Sequence, residues 1–282
     1  MEQELKVLEE QKVDKGLIEA VAEFRAEHKV DESVKNRIIK PDMAFFGKEV
    51  LEMGIATLLK GENLLLTGPK ATGKNILAEN LAWIFARPVY NISFHVNTDS
   101  GDLIGTDTFE NNEVKLRKGS IYRCAEYGGF GILDEINMAK NDAVSVLHAT
   151  LDHRRSIDVP GYDKIEMDDA TRFIGTMNYG YAGTKELNEA LVSRFLVIDM
   201  PGQNEETLEY VFKTKFPTIK EEALDLRGMI GALRTISCGL KPSLAVKMGV
   251  VNKCFDIFEK EIVQDVVMTR IPESWNPGDV FE

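Results

Sequence analysis

The sequence has few cysteines, no long apolar run and no excess of basic residues. Its three cysteines, Cys124, Cys238 and Cys254, are scattered, with no CxxC pair and no histidine at metal-ligand spacing, which excludes a disulfide scaffold and a zinc-finger type of site. No apolar stretch approaches the roughly 18 residues that span a bilayer. The acidic start, MEQELKVLEE, lacks the apolar core of a secretory signal. We therefore expect a reduced, cytoplasmic protein with no membrane contact.

Acidic residues outnumber basic ones by 46 to 34, so the formal net charge is −12. Each contact to a nucleic-acid phosphate needs a lysine or arginine, which makes non-specific duplex binding a poor expectation for such a chain. The same excess of negative charge disfavours binding to an anionic membrane surface. A local basic groove remains compatible with this total, so nucleic acid is disfavoured as a partner rather than excluded.

The residue composition and hydrophobic pattern of the 282-residue chain change twice along its length. Residues 1–40 are rich in Glu and Lys, with apolar residues near helical spacing, and predict an N-terminal helical segment. In residues 41–201 short β-rich runs alternate with helical stretches, which predicts an α/β domain with a mostly parallel sheet covered on both faces. Residues 202–282 predict a helical domain, with helices over Glu205–Thr214, Glu221–Ser237 and Ser243–Val263. The predicted strands are Asn63–Thr67, Val89–Phe94, Phe130–Asp134, Arg172–Met177 and Phe195–Met200. Two short alternating runs around Pro160-Gly161 predict a β-hairpin.

A glycine-rich loop joins the first predicted strand to a helix. The strand NLLLT leads into GPKATGKN, residues 68–75, and then into ILAENLAWIFA. Glycines let the backbone N–H groups of such a loop turn toward phosphate oxygens, and the helix N-terminus adds a positive dipole. Lys74 supplies a point charge for the β- and γ-phosphates. The alternative is an ordinary turn between strand and helix. The candidate nucleotide-contacting residues here are Gly68, Pro69, Lys70, Ala71, Thr72, Gly73, Lys74, Asn75 and Ile76.

The last position of this loop departs from the usual pattern. A serine or threonine hydroxyl normally binds Mg²⁺ there, and this chain has Asn75. A carboxamide oxygen can also coordinate Mg²⁺, but the longer side chain must fit an octahedral shell with ligands at about 2.1 Å. We therefore expect Asn75 to leave nucleotide binding intact and to impair hydrolysis more than binding.

Two carboxylates and an amide follow later strands. The apolar run FGIL ends in Asp134 and Glu135, and a buried strand delivers its last residues to the edge of the sheet where open α/β sheets bind ligands. Asp134 would hold Mg²⁺, and Glu135 would act as general base on the attacking water. Asn178, after the strand RFIGTM, could orient that water without adding negative charge. The alternatives are a solvated acidic turn and a turn asparagine.

Arg194 lies at a helix end, directly before the apolar strand that begins at Phe195. It could form a structural salt bridge, for which Glu189 is near in sequence. It could equally stabilise transition-state charge on the nucleotide of a neighbouring subunit, as an arginine finger does. The residues alone leave both interpretations open.

Taken in order, these elements resemble AAA+ ATPases, and within them the MoxR group with its CbbQ/NorQ-type and GvpN-type relatives. The resemblance covers roughly residues 42–260. It rests on GPKATGKN, ILDEIN and GTMN, together with FFGKEV at 45–50, GDLIGT at 101–106, KGSIYRCAEYGGF at 118–130, LHATLDHRRSIDVPG at 147–161 and ALVSRF at 190–195.

The resemblance implies a P-loop NTPase fold, in which a three-layer αβα core with a parallel sheet carries a small C-terminal helical lid. It places Phe46 and Gly47 at the adenine pocket and makes ATP and Mg²⁺ the ligands. It also implies a homo-oligomeric ring, commonly a hexamer, with Arg194 as the finger acting between subunits. Related proteins remodel or activate a client protein, often one with a von Willebrand A domain or a metal cofactor.

The lid segment also departs from the family pattern. Where the family has P-S-x-R with a sensor arginine, this chain has Pro242-Ser243-Leu244-Ala245. Lys241 or Lys247 could substitute, although a lysine does not reproduce the two-pronged contact of an arginine.

Three functional hypotheses follow. The first is a ring-forming, Mg²⁺-dependent ATPase that remodels a partner protein. The second is a nucleotide-binding assembly module with weak or absent hydrolysis, and the third, disfavoured by charge, is a nucleic-acid-linked NTPase.

Overall fold

The computed structural model describes residues 3–70, 72–95, 97–110, 112–139, 141–159, 161–178, 187–201, 226–253 and 257–281. The chain forms two compact units, Met1–Gly202 and Gln203–Glu282. The loop residue Ala71, Cys254 and the predicted helix over residues 205–214 lie outside the described residues.

The first unit alternates helices and strands after a helical start. Its elements are α1 (Gln3–Glu10), α2 (Lys15–Glu27), a 3₁₀ turn (Glu32–Arg37), α3 (Lys48–Leu59), β1 (Asn63–Gly68), α4 (Lys74–Ile84), β2 (Val89–Ser93), α5 (Ser100–Leu103), β3 (Gly105–Glu110), β4 (Glu113–Lys118), α6 (Ser120–Glu126), β5 (Phe130–Asp134), a 3₁₀ turn (Ile136–Met138), α7 (Asn141–Thr150), β6 (Ser156–Ile157), β7 (Ile165–Glu166), β8 (Arg172–Asn178), α8 (Glu189–Val192) and β9 (Phe195–Asp199).

The core of this unit is a five-stranded sheet in the order β2-β5-β8-β1-β9. Every neighbouring pair is parallel, as predicted. Successive residues of β1 point to opposite faces, so Leu64 and Leu66 join one hydrophobic cluster and Leu65 joins the other. Helices α1–α4 cover the first face, and α6 and α7 cover the second. The three-layer α/β architecture is therefore confirmed, with all five predicted strands present to within a residue at each end.

The N-terminal helices pack on the core of the first unit. Leu8 of α1 and Val21 of α2 are fully buried in the same cluster as Leu64. The ring of Phe24 meets that of Phe85 edge-on, with centroids 5.1 Å apart. Asp14 caps α2 by accepting the backbone N–H of Gly16 and Leu17. Residues 3–27 thus belong to the first unit.

A hairpin of β3 and β4 was not predicted from the sequence. The two strands pair antiparallel from Gly105–Lys118 to Glu110–Glu113. Gly105 has φ 143°, and a Cβ there would lie 2.6 Å from the carbonyl oxygen of Arg117, so the close approach of the strands requires glycine. The hairpin expected around Pro160-Gly161 is present as the short pair β6–β7.

The second unit is helical within its described residues. It contains α9 (Leu226–Ser237), α10 (Pro242–Gly249), a 3₁₀ turn (Val251–Lys253), α11 (Ile257–Arg270) and α12 (Pro277–Val280). The prediction of one continuous helix over 243–263 was wrong, because α10 ends at Gly249. A Cβ on that glycine would lie 2.3 Å from the carbonyl oxygen of Gly228, so α10 approaches α9 closely at this point.

Candidate nucleotide-binding site

Three adjacent parallel strands, β5, β8 and β1, have their carboxyl ends side by side, and these ends carry the candidate site. Gly68, the last residue of β1, lies directly opposite Asn178, the last residue of β8. On the other side of β8, Leu133 of β5 pairs with Gly175, so Asp134 ends β5 beside them. Because parallel strands end at one edge, the sequence-predicted residues Lys74, Asp134, Glu135 and Asn178 come together there.

The loop after β1 turns sharply at two glycines. Gly68 has φ 143° and Gly73 has φ 88°, both in a region that favours glycine. Lys74 begins α4 with its side chain buried, and its Nζ donates to the carbonyl oxygens of Gly68 at 2.9 Å and Pro69 at 2.6 Å. The Thr72 hydroxyl donates to the Pro69 carbonyl at 3.0 Å. The lysine charge is therefore held against the loop itself, where phosphate oxygens could replace the carbonyls as its partners.

Thr176 ties the two carboxylate residues to β8 and was missed by the sequence prediction. Its hydroxyl donates to Oδ1 of Asp134 at 2.5 Å and accepts the backbone N–H of Glu135 at 3.3 Å. Thr176 is buried and lies two residues before Asn178, on the same face of the strand. That period-two relationship in GTMN was the signal available in the sequence.

Glu135 adopts a backbone conformation that is uncommon for a residue with a side chain. Its φ and ψ are 54° and 44°, in the left-handed region. Such conformations persist where surrounding contacts impose them, and they cluster at functional sites. The carboxylate is exposed, and its Oε1 accepts a hydrogen bond from Nδ2 of Asn178 at 3.3 Å. The amide thus fixes an exposed carboxylate at the sheet edge.

The residues at this edge fit a magnesium ion that is shared with phosphates. Burial, followed by repulsion from Asp42 and Asp134, raises the pKa of Glu79, one turn after Asn75 on α4. A divalent cation would relieve this concentration of negative charge. No group of three or more His, Cys, Asp or Glu side chains among the described residues could hold a metal by itself. A Mg²⁺ ion that is shared with phosphates needs only one or two protein oxygens, because phosphates and water supply its other ligands.

The segment that the family resemblance places at adenine lies against the loop. A Cβ on Gly73 would be 3.5 Å from the ring of Phe45. Gln11 of the N-terminal segment holds this stretch from both ends, donating from Nε2 to the Phe45 carbonyl at 2.7 Å and accepting the N–H of Gly47 at 3.0 Å. Asn80 of α4 accepts the Phe45 N–H at 3.1 Å. Phe46 and Gly47 are therefore fixed by contacts from outside the recognised motifs.

Arg194 lies at the opposite end of the strands from the glycine-rich loop. The next residue, Phe195, pairs with Asn63, the first residue of β1, whereas the glycine-rich loop follows the last residue of that strand. One guanidinium nitrogen lies 3.8 Å from Oδ2 of Asp152, and another donates to the carbonyl of Ala190. The structure thus does not bring Arg194 into the nucleotide site of its own chain, and its salt-bridge partner is Asp152 rather than Glu189.

The remaining sequence-predicted residues have varied surroundings. Lys70 is exposed, whereas Ile76 is half-buried in the first turn of α4. Lys241 and Lys247 are exposed in the second unit. Ala245, which stands where the resemblance expects an arginine, is buried in the packing of that unit. An arginine could not occupy the Ala245 site without repacking.

Comparisons with known proteins agree with this architecture. Residues 63–195 match the AAA domain of the dynein-related subfamily. The uncharacterised protein YojN of Bacillus subtilis is 30% identical, over 78% of this chain and 82% of YojN. An uncharacterised protein of Staphylococcus epidermidis is 28% identical, over 77% of this chain and 94% of its own length.

A solved structure shares the fold. The crystal structure of a candidate ATPase from Cytophaga hutchinsonii matches with a TM-score of 0.50 and 20% sequence identity, covering 70% of this chain. The match spans 55% of that protein's length. Together with the domain match, it identifies the sheet and its helices as the P-loop fold of AAA proteins. None of the described helices has the length and apolar composition needed to cross a membrane.

Proposed function

The chain belongs to the AAA domain family, dynein-related subfamily, and on that premise we propose that it hydrolyses Mg²⁺-ATP in a ring of identical subunits to remodel a partner protein. The observation that carries the proposal is the position of Glu135. Its carboxylate, held by Asn178, emerges at the same sheet edge as the loop that holds Lys74. This arrangement supports the assignment of a general base and a phosphate-binding cation to one ligand position.

The chemistry assigned to these residues is attack of water on the γ-phosphorus. Glu135 accepts a proton from the water as its oxygen bonds to phosphorus, and the bond to the bridging oxygen breaks to release ADP and phosphate. Asn178 orients the carboxylate and the water through its neutral amide. Lys74 and the loop N–H groups bind the phosphate oxygens, where negative charge is greatest.

Asp134 and Asn75 are the residues that would hold Mg²⁺. When bound, the ion neutralises charge on the phosphate oxygens and aligns them for displacement. Thr176 keeps the Asp134 carboxylate oriented by its 2.5 Å hydrogen bond. Such support of a metal ligand by a neighbouring hydrogen bond is common in metal sites.

The position of Arg194 supports the oligomeric part of the proposal. Since it lies at the opposite edge of the sheet from its own loop, it can reach a nucleotide only on another copy of the chain. A ring, which we expect to be hexameric, supplies that neighbour. Its client would be a protein, and one with a von Willebrand A domain is the first to test.

The proposal is tested by phosphate release from Mg²⁺-ATP at micromolar protein. We expect turnover in the unmodified chain, none above background in Glu135→Gln, and unchanged turnover in the control Glu166→Gln, an exposed carboxylate on β7. Binding of a fluorescent ATP analogue should persist in all three. Turnover that survives Glu135→Gln would contradict the assigned base.

A second candidate function is favoured by Asn75, which replaces the usual hydroxyl ligand. In that case the chain is a nucleotide-binding assembly module with weak hydrolysis. It would bind ATP tightly and form nucleotide-dependent oligomers with negligible phosphate release. Robust turnover in the unmodified chain would rule this function out.

A further inference from the structure

A second polar cavity lies on the same unit, away from the nucleotide site. It has a volume of about 350 Å³ and lies between the 3₁₀ turn at Arg37, strand β2, strand β4 and helix α6. Its position follows from the sheet order, in which β2 is an edge strand separated from β1 by two strands. At about 4.8 Å per strand, the two sites are on the order of 14 Å apart across the sheet.

The lining of this cavity is basic in a chain that is acidic. Four cationic side chains contribute to it, Arg37, Arg117, Lys118 and Arg123, against one acidic residue, Asp102. The carboxylate of Asp102 accepts the N–H of Asp99 at the start of α5. A concentration of positive charge is notable where the chain carries −12 overall. A cleft lined by charges of one sign raises the local concentration of ions of the opposite sign, so this cavity attracts anions.

Within the part of the chain that the structure describes, three of these cations, Arg37, Arg117 and Arg123, lack a carboxylate partner. Lys118 is paired with Glu126 at 2.5 Å, which accounts for its charge within the protein. By contrast, the guanidinium groups of Arg117 and Arg123 make no ion pair with a carboxylate in the described part of the chain. Both are exposed at the rim. Arginine forks of this kind bind phosphate and carboxylate oxygens in pairs.

Tyr90 of β2 brings an independent observation. It is 3% exposed, and its hydroxyl is buried with no hydrogen-bond partner within the described residues. Arg37 lies over its ring, 4.6 Å from the centroid. A Cβ on Gly129 would lie 2.5 Å from Cε2 of the Tyr90 ring, so glycine leaves room for Tyr90. A buried donor without an acceptor is costly and uncommon in folded proteins.

The Tyr90 phenol stays protonated at neutral pH. Burial raises its pKa to about 12, and the nearby charges of Arg37 and Arg123 act in the opposite direction. The group is therefore available as a hydrogen-bond donor, and the charges of Arg37 and Arg123 lie near it. An anion entering the cavity would supply the acceptor that the protein lacks.

We propose that this cavity binds a small, multiply charged oxyanion of the phosphate class, which accepts a hydrogen bond from Tyr90 and pairs with the arginines at the rim. Arg37 comes from the N-terminal segment, so this segment contributes a side chain to the site. The inference does not depend on nucleotide hydrolysis, because none of the residues that line the cavity belongs to the nucleotide site.

The experiment is a titration with inorganic pyrophosphate, followed by calorimetry on the full chain carrying Lys74→Ala, which weakens phosphate binding at the glycine-rich loop. We expect one site per chain whose affinity falls as NaCl is raised. Adding Arg123→Gln should weaken binding by about tenfold or more, because a charge-assisted contact is lost. The matched control is Lys115→Gln, since Lys115 lies on the same strand β4, pairs with Glu113 and does not line the cavity.

Tyr90→Phe separates a ligand contact from a structural role. Removing an unpartnered buried hydroxyl should leave the melting temperature of the free protein unchanged or higher, while pyrophosphate affinity falls by about tenfold. A tyrosine that only supports the fold would lower the melting temperature and leave affinity unchanged. The proposal is overturned if pyrophosphate does not bind at millimolar concentration, or if neither Tyr90→Phe nor Arg123→Gln weakens it.

Discussion

Asn178 donates a hydrogen bond from Nδ2 to Oε1 of Glu135 over 3.3 Å, joining the end of β8 to the turn that follows β5. The two residues are 43 positions apart in sequence, and only the adjacency of the two strands brings them together. The contact orients an exposed carboxylate at the same ends of the strands as the glycine-rich loop. Hydrolysis should therefore depend on the amide as well as on the acid.

We expect Asn178→Ala to lower kcat by about 10- to 100-fold with little change in nucleotide affinity, because positioning of the base and the water is lost. Asn178→Asp should be at least as harmful, since it places a second negative charge beside Glu135 and the γ-phosphate. Steady-state phosphate release gives kcat and KM separately. Asn36→Ala, at an exposed position on the 3₁₀ turn, is the control. A rise in KM alone would contradict the positioning role.

Asn75→Thr should raise turnover severalfold at limiting Mg²⁺. A hydroxyl on Cβ is a closer and smaller ligand than the carboxamide of asparagine, and Mg²⁺ requires near-octahedral geometry. The measurement is a Mg²⁺ titration of phosphate release at saturating ATP. The half-saturating Mg²⁺ concentration should fall in the variant. An unchanged titration curve would show that Asn75 does not contact the ion.

Gln11→Ala should weaken the binding of adenine nucleotides by about three- to tenfold. The reason is that the backbone of Phe45 and Gly47 loses the side-chain amide that bridges it. Inorganic tripolyphosphate, which has no base, should compete for the loop as well as before. Competition against a fluorescent ADP analogue measures both. Glu10→Ala, at the exposed neighbouring position, is the control. Equal weakening of tripolyphosphate would assign Gln11 to general stability instead.

Arg87 offers a test of the packing between the N-terminal segment and the core. It is 2% exposed and donates to the carbonyls of Gly128 at 2.7 Å, His28 at 2.6 Å and Tyr127 at 3.3 Å. Arg87→Met should lower the free energy of unfolding by about 3 kcal/mol, because buried carbonyls lose their donors. Urea denaturation measures the change.

The control for Arg87 is Arg154→Met, an exposed arginine that contacts only the nearby Asp152 within the described residues. The free energy of unfolding should stay almost unchanged in this variant, because an exposed ion pair is screened by solvent. A comparable loss in both variants would mean that the carbonyl contacts of Arg87 contribute no more than a surface pair.

The three inner strands of the sheet, β5, β8 and β1, were predictable because they are short apolar runs buried on both faces. Phe130–Asp134, for example, has four buried residues followed by a carboxylate, and its position at the sheet edge follows from the parallel topology. The same logic located Lys74, Asp134, Glu135 and Asn178. The local composition of the chain was therefore sufficient to predict both the fold class and the residues at the strand ends.

The parts that sequence did not predict depend on long-range contacts or on exposed surfaces. Strand β4 is mostly exposed and has only two apolar residues, Val114 and Leu116, so the hairpin with β3 gave only a short alternating pattern. Gln11 meets Gly47 across 36 positions, and no local pattern indicates that pairing. Likewise, the cavity at Tyr90 is assembled from four separate segments. The break at Gly249 was obscured by a continuous helical pattern on both sides.

The most direct test of the central claim is phosphate release from Mg²⁺-ATP as a function of protein concentration, with Arg194→Ala added as a second titrant. A site completed by a neighbouring copy predicts that specific activity rises with concentration, and that it falls more steeply than simple dilution when the inactive variant joins mixed rings. Specific activity that is independent of concentration and insensitive to the added variant would contradict a shared site, and would leave Arg194 as the structural partner of Asp152.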